Sequence, residues 1–213
     1  MRVLAIETAF DICGVAIVTE DGIESLADQR VPQKHNEVLS PTVERMMTAA
    51  GYTFSDLDGI ALSAGPGSYT GLRIGMSYAK GLAFGTGLPI IPVPSLPVLL
   101  EGESIEIPDW VAVWSHGENV YAVQPSNSEE WGEVLFMHWD QFIEQAAHQS
   151  VAGYLLDRFL PGSQLTYVET CPSAAKVGKF AIERPDRKVF DITDLVPIYH
   201  EEYQVRMQKH ADS

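Results

Sequence analysis

The stretch Ser63–Gly85, SAGPGSYTGLRIGMSYAKGLAFG, decides how this chain is read. An apolar run, DGIALSAG (58–65), feeds a glycine-rich loop, and the loop opens a helix. Glycine then recurs inside the helix at Gly71, Gly75, Gly81 and Gly85. Each costs about 1 kcal/mol relative to alanine in a helix interior. The spacing gives the pattern a purpose. Gly71, Gly75, Ala79 and Ala83 recur every fourth residue and form one small-residue stripe. Ser77, Gly81 and Gly85 form a second beside it. Small residues at this spacing let another backbone approach closely. In membranes the same spacing drives helix pairing, but Arg73 and Lys80 exclude a membrane helix here. One stripe is expected to face the protein's own sheet, and the second a close neighbour.

A strand, a glycine loop and a helix N-terminus also make a credible anion site, with Ser68 and Thr70 as candidate caps. The phosphate motifs nevertheless do not fit. A Walker loop needs a lysine after its last glycine, and Leu72 follows Gly71. A dinucleotide fingerprint needs glycine where Thr70 stands. Pro66 removes one N–H from any cradle. Gly65, Pro66, Gly67, Ser68, Thr70 and Gly71, with Arg73 and Gly75 behind them, therefore read as a structural loop and helix start.

Outward from this stretch, RVLAIET (2–8), CGVAIVTEDG (13–22) and IESLADQRV (23–31) read as three strands, the last two joined by the Asp21-Gly22 turn. In HNEVLSPTVERMMTAAG, Val38, Leu39, Val43, Met46, Met47 and Ala50 share one helical face. That helix is expected from about Asn36, with Pro41 starting or kinking it and Gly51 capping it. LPIIPVPS (88–95) is a fifth strand. Three antiparallel strands followed by helix, strand, helix, strand is the order of a ribonuclease-H-like lobe. The composition turns acidic and irregular around EGESIEIPD (101–109), which sets a lobe boundary. Residues 1–103 form the first lobe, with a tail from about 194 to 213 packing back on it, and 104–193 a smaller α/β lobe. The smaller lobe is read as a hairpin around Gly117, a strand in GEVLFMHW, a short helix capped by Asp140, a strand in QLTYVET, and a helix with Pro172 in its first turn.

The 213 residues carry a formal charge of −15, from 29 acidic against 14 basic side chains. Such a surface repels nucleic acid. A role on RNA would need another subunit to hold the RNA. Cys13 and Cys171 form no C-x-x-C pair, and no H-x-x-x-H or H-E-x-x-H occurs. Glu7 and Asp11 interrupt the first apolar run, so it reads as neither a signal peptide nor a membrane span. A cytoplasmic protein is expected.

The motif GPGSYTGLRIG followed by AKGLAFG resembles the signature of the TsaB family. LAIETAFDICGVAIV resembles that family's first hairpin, IIPVPSLPVL its fifth strand and following helix, and DITDLVPIY its closing segment. The resemblance implies an α/β chain of actin-like, sugar-kinase-like ATPase fold, with two ribonuclease-H-like lobes. It implies a non-catalytic subunit that binds a TsaD-like transferase, the enzyme that moves a threonylcarbamoyl group onto an adenosine of tRNA. A TsaE-like ATPase would join that complex, tRNA would be touched only indirectly, and the chain alone would form a homodimer. TsaD-like chains carry a metal-binding H-x-x-x-H whose positions here are Ser95 and Leu99, and neither replaces imidazole as a strong ligand. ATPases of this fold use Asp-x-Gly phosphate hairpins, where the first lobe here offers Glu7-Thr8-Ala9. No cofactor, metal or catalytic residue is therefore expected. The alternatives are an actin-like ATPase or a metallopeptidase. Trp114, Ser115, His116 and His200 depart from the family's pattern, and the two histidines read as solvated loop residues. The partner interface is expected on Val43, Met46, Met47, Ser77 and Gly81, with Met46, Met47 and the Ser77/Gly81 stripe turned outward.

Overall fold

The computed structural model describes residues 1–126 and 131–200. Its first sheet is built from β1 (Arg2–Glu7), β2 (Ile12–Thr19), β3 (Gly22–Arg30), β4 (Gly59–Gly65) and β5 (Ile90–Pro94), in the order β3-β2-β1-β4-β5. β1 runs antiparallel to β2 and parallel to β4. It is apolar from Val3 to Ile6 because both of its faces are covered. Leu4 and Ile6 meet α1 (His35–Ala50) and α2 (Tyr69–Thr86) on one side. Val3 and Ala5 meet α4 (Ala174–Glu183) on the other.

The second sheet, of β6 (Trp110–Trp114), β7 (Asn119–Val123), β8 (Leu135–His138), β9 (Ser150–Tyr154) and β10 (Thr166–Glu169), repeats that plan. Its order read from the other edge is β8-β7-β6-β9-β10. β6 is antiparallel to β7 and parallel to β9, as β1 is to β2 and β4. Both sheets are thus ribonuclease-H-like, and the chain has the two-lobed α/β fold of the actin-like and sugar-kinase-like ATPases. The β6–β7 hairpin turns at Gly117, which has φ +57°. α3 (Trp139–Ala146) covers the second sheet through Trp139, Phe142 and Ala146.

Several local readings change. β9 escapes a periodicity search because Gly153 interrupts a five-residue strand. A Cβ at Gly153 would collide with the carbonyl of Ala112 on the paired strand β6. α3 is capped by His138, whose Nδ1 accepts from the Asp140 N–H at 3.3 Å, so Asp140 lies within the first turn. α4 is capped by Ser173, and Pro172 falls before the helix. α1 starts before Pro41 and continues past it, with Pro41 on its exposed side.

The chain order of α4 and its packing disagree. It follows β10, yet packs on the first sheet, so residues 174–183, which the boundary near 103 assigns to the second lobe, lie on the first. Gly178 makes that contact close: a Cβ there would fall within 3.0 Å of the Val18 side chain. Asp28 of β3 reaches the same helix start and accepts from the Ala174 N–H at 3.2 Å. The turn after β5, Pro97–Leu100, crosses the other way and sends Leu99 among Val111, Val113 and Tyr154 of the second sheet. The segment 189–200 returns along the first lobe, with Ile192 and Leu195 against its core. Residues 201–213 of the expected tail lie outside the described residues.

Gly178→Ala tests the α4 seat. Alanine normally gains about 1 kcal/mol over glycine in a helix interior. Here it should lose about 1–3 kcal/mol through overpacking, read as a lower denaturation midpoint.

Candidate functional site

The glycine motif meets the β1–β2 turn directly. The Ser68 N–H donates to the Ala9 carbonyl at 2.6 Å. Ser68 caps α2, its Oγ accepting from the Gly71 N–H at 3.3 Å, while Thr70 is exposed in the first turn. A Cβ on Gly67 would strike the Ala9 carbonyl, one on Gly71 the Thr8 carbonyl, and one on Gly75 the Thr8 hydroxyl, each inside the 3.0 Å that real Cβ atoms respect. These three glycines exist so that Thr8 and Ala9 can lie against the helix. Gly65 has φ +125°, and beside it the Ile198 N–H donates to the Ala64 carbonyl at 2.7 Å. The peptide bond from Gly65 to Pro66 is cis.

Glu7, fully buried, organises the same turn. One carboxylate oxygen accepts from the Ala9 N–H at 2.6 Å, and the other accepts from the Ser63 hydroxyl. Burial pushes its pKa up to about 7, against the pull of those two donors. Its two oxygens are therefore spent on the protein's own loop. An Asp-x-Gly hairpin would leave a backbone free to approach phosphate. Here Ala9 carries a side chain, and the Thr8 carbonyl is pressed onto Gly71. These residues do not fit a nucleotide phosphate.

The positions of the metal pair are likewise committed. Ser95 is buried, its Oγ accepting from the Gly65 N–H at 3.2 Å, and its own N–H donates to the Gly65 carbonyl at 2.8 Å. Leu99 is buried in the apolar layer between the lobes. Neither residue type nor surroundings suits a metal. Among the described residues no cluster of three His, Cys, Asp or Glu side chains is placed to hold a metal ion.

The lobes close on each other beside this turn. Phe10 packs edge-on to Tyr154 at 6.0 Å between centroids, within an apolar cluster that includes Leu72, Leu96, Val111 and Val113. The Tyr154 hydroxyl donates to Asp11 at 2.8 Å, and Arg30 pairs with the same carboxylate at 2.5 Å. Sequence reasoning misses this clasp, since nothing in the spacing of residues 10, 11 and 154 announces it.

The expected interface residues separate. Val43, Met46 and Met47 are buried against Leu4, Val15 and Ile17 of the protein's own sheet. The two methionines therefore do not turn outward, contrary to expectation: α1 has one apolar face, and the sheet takes it. Ser77 and Gly81 do face outward, and among the described residues nothing lies within 4 Å of a Cβ built on Gly81 or Gly85. Phe84, one turn beyond Lys80, is 89% exposed. Arg73 stacks on Tyr69 at 3.8 Å and donates from Nε to the Tyr199 hydroxyl at 3.0 Å. In the second lobe His116 stacks on Phe136, and His200 lies edge-on to Tyr121, where burial lowers its pKa. Trp114 donates from Nε1 to the Gly117 carbonyl at 3.1 Å.

The family model described as TsaD, tRNA N6-adenosine threonylcarbamoyltransferase, matches residues 28–184. The chain belongs to the TsaD/TsaB family. Among curated relatives, the tRNA threonylcarbamoyladenosine biosynthesis protein TsaB of Escherichia coli is 39% identical over 102 residues, 48% of this chain and 44% of that one. TsaB of Haemophilus influenzae is 31% identical over 47% of this chain and 42% of its own. The tRNA N6-adenosine threonylcarbamoyltransferase of Clostridium botulinum is 31% identical over 51% and 37%. The chain thus spans less than half the length of these relatives. A Pseudomonas aeruginosa structure described as similar to peptidase YeaZ superposes with TM-score 0.74 at 25% identity, covering 93% of this chain and 98% of that one. YeaZ from the same organism gives 0.72 at 24%, covering 93% and 99%. The TsaB resemblance read from the glycine motif therefore holds. No helix among the described residues is long and apolar enough to cross a membrane.

Two expectations follow. Gly71→Ala should destabilise by about 1–3 kcal/mol, whereas Gly81→Ala should stabilise by up to about 1 kcal/mol, both read from denaturant midpoints. Glu7 is protonated in the fold up to about pH 7 but ionises near 4.5 when unfolded, so the unfolded chain binds fewer protons in that window. Glu7 by itself should therefore withdraw stability as pH rises through it, by up to about 1.4 kcal/mol per pH unit. Glu7→Gln, which keeps an acceptor for Ala9 and a partner for Ser63, should flatten that slope, measured as the stability difference from the parent between pH 4.5 and 7.

Proposed function

We propose that this chain is a non-catalytic subunit of the machinery that forms threonylcarbamoyladenosine on tRNA, and that it docks on a TsaD-like paralogue through the outward face of α2. The observation that carries the reading is that face itself. Ser77, Gly81 and Gly85 leave a shallow, open track, and Phe84 stands beside it almost fully exposed. α2 contains no Asp or Glu in 18 residues, on a chain of net charge −15. A like-charged paralogue would meet no repulsion there. Knobs from a partner helix can settle between small residues at a close interaxial distance.

A scaffold role also accounts for what replaces the chemistry. The positions of the metal pair hold Ser95 and Leu99, both built into the core, and the first phosphate hairpin is Glu7-Thr8-Ala9, packed on the helix. The acidic surface leaves tRNA to the partner. A TsaE-like ATPase belongs to the same assembly, and in the partner's absence a second copy would use the same face. That role belongs in the cytoplasm, with tRNA.

Ser77→Arg should lower affinity for the TsaD-like subunit of the same organism at least tenfold, because a bulky charge would lose its water in a close helix contact. Calorimetric titration reads the affinity. The variant should melt within about 2 °C of the parent, since substitutions at exposed positions usually stay within about 0.5 kcal/mol. Undiminished binding by a folded variant would refute the docking face.

A further inference from the structure

We infer that the partner surface is composite: segment 190–199 forms its second wall, anchored beside α2, and a TsaD-like partner seats on helix and strap together. This rests on the docking reading above. The strap begins where Val189 bridges Ile90 at the free edge of β5. Ile192 and Leu195 pack into the first lobe's core. Lys80 Nζ donates to the carbonyls of Thr193 at 3.2 Å and Leu195 at 3.1 Å, Arg73 bonds the Tyr199 hydroxyl, and the Ile198 N–H closes on Ala64. The strap therefore runs antiparallel to α2, from Lys80 back to Arg73.

Ser77 lies between those two cations on the same helix ridge, four residues after Arg73 and three before Lys80. A neighbour that settles on Ser77 must therefore border the strap. The strap presents apolar groups to it. Among the described residues nine large hydrophobic side chains are exposed, and five of them are Phe84, Phe190, Val196, Ile198 and Tyr199. Such a concentration in one helix end and ten strap residues marks an interaction surface rather than scattered exposure. The strap's inward residues hold it while its outward ones remain uncovered, so it fits a wall and not a lid that leaves. The cations next to Ser77 are both engaged within the chain, which leaves the surface to an apolar helical partner.

The experiment has two arms with the same TsaD-like subunit. Val196 is 64% exposed, so Val196→Arg should keep its fold, checked by its melting temperature, and lose at least tenfold in affinity. In the unmodified complex, hydrogen exchange at the strap amides, Ile198 above all, should slow by at least tenfold. If Ser77→Arg fails to bind while Val196→Arg binds normally, the strap is not part of the surface and this inference falls, while the docking face stands. If both variants bind normally, the docking reading falls and takes this one with it. Faster exchange at Ile198 in the complex would mean that the strap is displaced, which overturns the composite surface without any variant. Loss of self-association alone in Val196→Arg would assign the wall to a second copy and equally overturn it.

Discussion

The structure depends on one close approach, that of the Thr8–Ala9 backbone to the first two turns of α2. A helix packed on a strand–turn through ordinary side chains would sit several ångströms further out. Gly67, Gly71 and Gly75 remove those side chains, and the Ser68 N–H then reaches the Ala9 carbonyl. With α2 seated this deeply, Leu72 and Met76 enter two different cores, one between the lobes and one under the helix. The same seat fixes the rotation of the helix, and so which residues are left in solvent. The cost of glycine within the helix is returned here by burial and by a hydrogen bond that no larger residue would permit.

The turn that presses on α2 also joins the lobes. Ala9 and Phe10 continue from Thr8 into the apolar cluster shared with β6, β7 and β9. In a nucleotide-binding relative of this architecture the region between lobes has to admit charged phosphates and water. Here it is filled by Phe10, Leu96 and Leu99 facing Val111, Val113 and Tyr154, with Asp11 tied to Tyr154 at the margin. Opening it would expose that surface at roughly 25 cal/mol per Å². α4 and the turn after β5 each cross to the opposite sheet and reinforce the joint. Two lobes built on one topology are thus joined by apolar contacts in both directions.

Much of this architecture is legible in the amino-acid sequence. Apolar runs with turn signals mark nine of the ten strands among the described residues, and the glycine motif announces both the family and a helix with two small stripes. The failures have physical causes. β9 is short and carries a glycine required by the Ala112 carbonyl, so it lacks a strand's pattern. Asp140 and Pro172 are good starting residues, but the side chains that supply the capping bonds belong to their neighbours His138 and Ser173. The error at Met46 and Met47 is the most instructive. Periodicity identifies an apolar face without saying what covers it, and a helix with only one such face must give it to its own core. The clasp of Phe10 and Asp11 with Tyr154 joins residues more than 140 apart, and no local pattern encodes it.

α2 differs from α1 because it has a surplus. Gly71 and Gly75 are explained by Thr8. Among the described residues nothing lies within reach of a Cβ at Gly81 or Gly85, yet they weaken the helix as much as the others do. A helix that only had to cover its sheet would gain stability by carrying alanine at both places, and it would also gain by losing the exposed Phe84. The chain instead keeps an uncharged, small-residue track with an aromatic at its end, on a surface that is otherwise strongly acidic. Among the described residues no contact balances that arrangement, and the proposed docking face is the reading that gives it a purpose. In that reading a partner backbone would approach Gly81 and Gly85 as closely as Thr8 approaches Gly71, and the two outer glycines would have the same physical reason as the two inner ones.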